Sequence, residues 1–115
     1  MPYLILRDAA RFKAFAEQTF GAQEITLHLK EDGTILHAAV QVAGCTVMFG
    51  ESSNDWPPQT AGLYLYVPDV DETFRRAVAN GARPVMPVAE KDYGRSGGVQ
   101  DPCGNAWWLT QIAPA

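Results

Sequence analysis

The 115-residue chain is poor in basic residues, in cysteine and in long apolar runs. Its 9 Lys and Arg residues stand against 13 Asp and Glu residues, for a formal net charge of −4. No nucleic-acid partner is expected, because attraction to phosphate backbones needs a positive surface field. No apolar stretch reaches the roughly 20 residues that span a bilayer, and residues 1–8 lack the basic segment of a signal peptide. We expect a cytoplasmic protein with no membrane partner.

Cysteine occurs only at Cys45 and Cys103. They lack the close pairing of a zinc knuckle, so both are predicted to be free thiols. A catalytic cysteine would need a base such as His28 or His37, and the sequence places neither histidine beside one. A chain of this length buries roughly two-thirds of its unfolded surface. With 47% apolar residues, it is predicted to form a single domain (1–115) with its own hydrophobic core.

An internal repeat organises the chain. The run 3–8 (YLILRD) is similar to the run 64–69 (YLYVPD), and the aspartates that end them are 61 residues apart. A helical pattern follows each run, with Asp8 or Asp69 at the N-cap position and Gly21 or Gly81 at the C-cap position. This distance is typical of a duplicated half-domain.

Each half continues with apolar residues at a period of two, which predicts strands. The predicted strands are 3–7, 24–30, 35–42 and 45–51 in the first half, and 63–67, 84–88, 97–100 and 106–112 in the second. Segment 89–96 is predicted to be a loop, and the proline-containing segment 52–61 a linker. Each half is therefore predicted to be a βαβββ module, the first over 1–51 and the second over 62–115.

Two segments carry a resemblance to a known family. They are 64–71 (YLYVPDVD) and 93–107 (YGRSGGVQDPCGNAW), the second with an Asp-Pro-x-Gly-Asn turn. The sequence resembles the glyoxalase/bleomycin-resistance/dioxygenase superfamily, the vicinal oxygen chelate fold. Within it, the start at 2–8 and the runs 20–22 (FGA) and 93–95 (YGR) are most similar to the small PhnB-like branch. The resemblance implies an α+β fold: two βαβββ modules form a curled mixed-sheet cup, and two chains pair in a dimer.

The resemblance also implies where a metal would lie. Enzymes of the family hold a divalent ion with four side chains, and three of those positions fall here on Met1, Gly62 and Trp108. The fourth falls on Glu51 or a neighbour. One carboxylate does not hold such an ion. We therefore expect no metal, no cofactor and no catalytic residues, which disfavours a metal-dependent glyoxalase or dioxygenase.

Strand alternation predicts which side chains face the cup. Tyr64, Tyr66 and Trp108 are expected to stack on a planar ligand, and Tyr3, Gln41 and His37 to orient it by hydrogen bonds. Arg95, in the glycine-rich loop, is a candidate partner for a ligand carboxylate. Trp56 either pins the linker or caps the cup.

The leading hypothesis is metal-free binding and sequestration of a planar or aromatic small molecule by a homodimer. Bleomycin-resistance proteins are the comparison, with an antibiotic or peptide natural product as ligand. Two alternatives stay open. One is a glyoxalase-like lyase or isomerase with a metal held by His37, Gln41 and Glu51. The other uses the aromatic face only for protein interaction, since aromatics on a sheet also form cores and dimer interfaces.

Overall fold

The computed structural model describes residues 1–112, and the last three residues of the predicted second module lie outside that range. Each half contains one helix and four strands in the order βαβββ. The first half consists of β1 (Tyr3–Leu6), α1 (Ala9–Phe20), β2 (Gln23–Leu29), β3 (Ile35–Val42) and β4 (Cys45–Glu51). The second half consists of β5 (Gly62–Val67), α2 (Val70–Ala79), β6 (Arg83–Lys91), β7 (Gly94–Gln100) and β8 (Ala106–Gln111).

Each half forms its own four-stranded mixed sheet. The strand orders are β1-β4-β3-β2 and β5-β8-β7-β6, and the first pair in each order is parallel while the others are antiparallel. The register repeats as well, since Tyr3 pairs with Met48 in the first sheet and Tyr64 with Trp108 in the second. The predicted α+β fold of two βαβββ modules is confirmed.

Both helices begin at the predicted aspartates. Asp8 accepts a hydrogen bond from the Arg11 amide at 3.4 Å, and Asp69 accepts one from the Glu72 amide at 3.2 Å. Gly21 ends α1 in the left-handed conformation at φ 68°, as predicted. The helix α2 instead ends one residue before the predicted position, with Asn80 as its C-cap.

The core lies between the helices and one face of each sheet. Phe12 of α1 meets Phe49 of β4 with ring centroids 4.8 Å apart, and Phe20 meets Trp107 of β8 at 4.5 Å. The contact with Trp107 joins the first helix to the second sheet, so the two modules share one core. Burial of each such side chain stabilises the fold by about 1.5–3 kcal/mol. No helix within residues 1–112 is long and apolar enough to cross a membrane.

The segment 89–96 is a hairpin, so its prediction as a loop is wrong. Strand β6 runs to Lys91 and β7 already begins at Gly94. Charged residues and Gly94 weaken the strand pattern of this segment. Because β6 is an edge strand with register shifts on both sides of Met86, its prolines need not donate to a ladder.

Candidate functional site

Each sheet packs one face on the helices and leaves the other open. The open face of the first sheet carries Tyr3 at 48% exposure, and that of the second carries Tyr64 at 53% and Tyr66 at 60%. Large aromatic side chains that stay in water are candidates for binding, since burying them on a partner is favourable. We call these surfaces the first and the second open face.

Trp108 lies at the centre of the second open face, where Gly98 of β7 makes room for its ring. A Cβ atom on Gly98 of β7 would stand 2.7 Å from the six-membered ring of Trp108. On the other side, a Cβ atom on Gly62 of β5 would stand 3.8 Å from Trp108 Nε1. The indole therefore reaches towards both neighbouring strands, and a side chain at position 98 would displace it.

Hydrogen bonds hold Tyr64 beside this ring. Its hydroxyl is 2.6 Å from Thr110 Oγ1, which is 2.7 Å from Ser96 Oγ. The ring centroids of Tyr64 and Tyr66 are 5.4 Å apart. A small cavity of about 160 Å³ opens here, with Met86 and Tyr93 on its wall. The second open face therefore combines stacking surfaces with hydroxyl groups.

The first open face carries a row of nearly parallel rings. Tyr3 stacks on His37 with centroids 5.7 Å apart and planes at 11°, and His37 stacks on His28 at 6.2 Å and 17°. His28 was not among the predicted site residues, although the Asp32-Gly33 turn signal places it across the hairpin from His37. The row leaves the imidazole of His37 beside the Tyr3 ring, as a polar group on an aromatic surface.

A larger cavity of about 420 Å³ lies next to Tyr3. Its other lining residues are Ile5, Lys30, Leu36, Gly50, Glu51, Ser53 and Trp56. We call it the Trp56 cavity. The sequence pattern missed Lys30 and Leu36 because both stand at the β2–β3 hairpin, far along the chain from Trp56 in the linker.

The structure divides the predicted site residues into two groups. Tyr64, Tyr66 and Trp108 lie together on the second open face. Tyr3 and His37 lie together on the first, and Gln41 is exposed further along β3. The Trp56 cavity and the cavity beside Trp108 share no lining residue. The described residues 1–112 therefore divide these aromatics between the two open faces.

Arg95 faces α2, not the cup. Its Nε and Nη2 donate to the two Asp71 carboxylate oxygens at 2.7 and 2.8 Å, and its Nη1 donates to Glu90 at 3.2 Å. Hydrogen bonding from Arg95 lowers the pKa of the Asp71 carboxyl, and both acidic partners raise the pKa of Arg95. The predicted role of Arg95 in ligand binding depended on a glycine-rich loop. The structure has the strand β7 at this position instead.

The fourth metal position of the family falls on Met48. Met48 pairs with Tyr3 as Trp108 pairs with Tyr64, so the expectation of Glu51 at this position is wrong. Glu51 instead accepts hydrogen bonds from the Asp8 and Ala9 amides at 2.8 and 2.9 Å, at the start of α1. Gln111 does the same for α2 through the Val70 amide at 3.1 Å.

The residues at the family's metal positions do not fit a hard divalent ion. Met1, Met48, Gly62 and Trp108 offer no carboxylate or imidazole, whereas such ions take oxygen or nitrogen ligands. Within 1–112, no three His, Cys, Asp or Glu side chains group as metal ligands. The alternative set of His37, Gln41 and Glu51 does not converge, because His37 and Gln41 stand four residues apart on β3, roughly 13 Å along an extended strand.

The thiol of Cys103 is not placed for nucleophilic chemistry. Cys103 is half-buried, and burial followed by the charge of Asp101 raises its pKa to about 12. A protonated thiol is a poor nucleophile. Cys45 is exposed, and both cysteines are free, as predicted.

Two βαβββ modules, each with a mixed sheet that packs one face on a helix and leaves the other face open, define the fold class of the protein. A sequence model of the Glyoxalase/Bleomycin resistance protein/Dioxygenase superfamily matches residues 3–109. The chain belongs to this superfamily. An uncharacterized protein of Mycobacterium bovis is 35% identical over an alignment of 126 residues, which covers 96% of this chain and 80% of the relative.

Solved structures agree with the fold. TioX from Micromonospora sp. ML1 superposes with a TM-score of 0.80 at 28% identity, over 96% of this chain and 95% of TioX. TnmS3, an antibiotic binding protein from Streptomyces sp. CB03234, has a TM-score of 0.74 at 23% identity over 96% and 92%. A PhnB protein from Bacillus cereus has a TM-score of 0.75 at 17% identity over 97% and 98%.

Proposed function

We propose that this protein binds and sequesters a planar or aromatic small molecule without a metal ion, in the manner of bleomycin-resistance proteins. The observation that carries the proposal is the indole of Trp108, accommodated by Gly98 and accompanied by two exposed tyrosines. An antibiotic or a peptide natural product with flat rings is the ligand class. The shared fold with TnmS3 supports this choice, since that protein is described as antibiotic binding.

The aromatic side chains would provide affinity and the polar groups orientation. Tyr64, Tyr66 and Trp108 would stack on the ligand, each contact adding about 0.5–1.5 kcal/mol beyond area burial. The Tyr64 hydroxyl already bonds to Thr110, so its ring position is set before ligand arrives. Preorganisation of this kind reduces the entropy lost on binding.

We further propose that a homodimer completes the site. The chain measures 47 × 25 × 23 Å, and its two open faces line separate cavities. A second copy that sets its first open face against the second open face of its partner would enclose a cup between them. Tyr3, His37 and Gln41 of one chain would then orient a ligand that stacks on Trp108 of the other.

A titration with the neutral planar probe 2-naphthamide tests the binding function. We expect quenching of tryptophan fluorescence by wild type, and a Kd raised about five- to tenfold by Trp108→Ala from the lost stacking surface. Gly98→Ala should weaken binding although the indole is still present, because the new Cβ displaces it. Ile25→Ala, an exposed apolar residue on β2, is the matched control and should leave the Kd unchanged.

Two outcomes would contradict the proposal. If Trp108→Ala and Gly98→Ala bind the probe as wild type does, the second open face is not the site. If Trp108→Ala dissociates a dimer while probe affinity per chain stays the same, the aromatic face serves protein interaction instead.

A further inference from the structure

The Trp56 cavity carries an aromatic side chain that the fold holds in water. Trp56 is 67% exposed, yet its backbone is fixed in a tight turn. The Ser53 amide donates to the Trp56 carbonyl at 2.9 Å, and the Trp56 amide donates to Ser53 Oγ at 3.2 Å. Such a ring gains little burial from its own chain, so its placement on a cavity wall needs another explanation.

The floor and the opposite wall of the cavity suit a flat ligand. A Cβ atom on Gly50 would stand 2.5 Å from the Leu36 carbonyl oxygen and 3.5 Å from the Tyr3 hydroxyl, so only glycine keeps this floor open. Tyr3 and Leu36 are each about half exposed, at 48% and 55%. An aromatic ring placed among Trp56, Tyr3 and Leu36 would cover apolar surface on several sides.

Two charged side chains of opposite sign line this cavity, Lys30 and Glu51, and their hydrogen bonds differ. Lys30 is the one cation that lines it, and no carboxylate within residues 1–112 lies at ion-pair distance from Lys30. Glu51 also lines the cavity, but its two carboxylate oxygens accept hydrogen bonds from the Asp8 and Ala9 amides at the start of α1. The helix dipole stabilises that negative charge. Asp32, close to Lys30 in the chain, is bonded to Thr34 and does not line the cavity.

We propose that the Trp56 cavity is a subsite for a planar aromatic group bearing an anionic substituent, such as a carboxylate or a phenolate. The ring lies among Trp56, Tyr3 and Leu36, and the anion pairs with Lys30. A charge-assisted contact of this type is stronger than a neutral hydrogen bond. The inference rests on the proposed small-molecule binding and adds to it the charge that the ligand carries.

Two probes of the same shape test the inference. The anion 2-naphthoate and the neutral 2-naphthamide are titrated into wild type, Lys30→Met, Lys30→Arg and Lys91→Met by calorimetry. We expect wild type to bind naphthoate about five- to tenfold more tightly than naphthamide. Lys30→Met should reduce the ratio of the two affinities to about one. Lys30→Arg, which keeps the positive charge, should retain the preference for naphthoate. Lys91→Met removes an exposed lysine that lines none of the cavities described above, and should keep the wild-type ratio.

Two further variants separate this inference from the proposed function. Trp56→Ala should weaken the binding of naphthoate at least as much as Trp108→Ala does. Trp108→Ala should keep the preference for the anion. If Lys30→Met still binds naphthoate more tightly than naphthamide, or if wild type shows no preference, the proposed subsite is wrong. Naphthamide binding at Trp108 would still stand. If wild type binds neither probe, both proposals are overturned.

Discussion

At the scale of single residues, Asp101 shows how much structure one carboxylate can hold. Its Oδ1 accepts from the Cys103 and Asn105 amides at 2.9 and 3.0 Å. Its Oδ2 accepts from Asn105 Nδ2 at 2.9 Å and from Trp107 Nε1 at 2.8 Å. Asn105 Oδ1 in turn accepts from the Ala61 amide at 3.0 Å, at the start of the second module. The Asp-Pro-x-Gly-Asn motif is therefore a structural element of the core, not a binding site.

Asp101→Asn is expected to destabilise the protein. The substituted amide turns a donor towards donors in a site that is 4% exposed, and one or two buried N–H groups lose their acceptor. We expect a loss of about 1.5–3 kcal/mol in the free energy of unfolding, measured by urea denaturation. Asp92→Asn, at the exposed turn between β6 and β7, should change it by less than about 0.5 kcal/mol. Equal effects of the two substitutions would contradict this role.

At the scale of elements, surface carboxylates of α2 make its stability depend on pH. Hydrogen bonds and charge from Arg75, with a smaller effect of Arg76, lower the pKa of Glu72 from 4.5 to about 2. A carboxyl with a lowered folded-state pKa stabilises the fold above its unfolded pKa. That contribution is lost as the pH falls through the folded value.

Glu72→Gln is therefore expected to lower Tm above pH 4.5 and to leave it nearly unchanged at pH 2. The effect should be small and should shrink in high salt, because the Arg75 and Arg76 pairs are exposed. Thermal unfolding followed between these pH values, with and without salt, measures it. Glu31→Gln, an exposed carboxylate without an ion pair within residues 1–112, is the control. The interpretation fails if both variants lose the same Tm at every pH.

At the scale of the whole molecule, the two open faces bear on assembly. Tyr66 is 60% exposed on the second open face, and in the proposed dimer it would be covered by the partner. Light scattering should give a mass of about twice the 12.6 kDa of the chain. Tyr66→Glu should shift the protein towards monomer, because a buried unpaired carboxylate is costly. Val78→Glu, on the exposed side of α2, should remain dimeric. A wild-type monomer at micromolar concentration would contradict the proposed cup.

Much of the fold follows from local chemistry that can be recognised in the sequence. Asp69 at an N-cap, Gly21 at a C-cap and the turn glycines act within a few residues, so their positions predict the element boundaries closely. The strand β6 (Arg83–Lys91) was only partly predicted, since its last residues are charged and have low strand propensity. Arg95 was placed in a loop because it follows the turn residues Asp92 and Gly94.

The sequence by itself determined the duplicated βαβββ plan, the apolar faces that form the core and the lack of metal-ligating residues at Met1, Gly62 and Trp108. The first two depend on periodicity and on residue chemistry, which do not change when the chain folds, and the third is what the resemblance to the family implies for those positions. Only the tertiary structure decided that Glu51 accepts hydrogen bonds at the start of α1 and that Met48 is the counterpart of Trp108. It also decided that Lys30, Leu36 and Trp56 line one cavity. Such contacts join segments far apart in the chain, and strand register and side-chain direction, not spacing, bring them together.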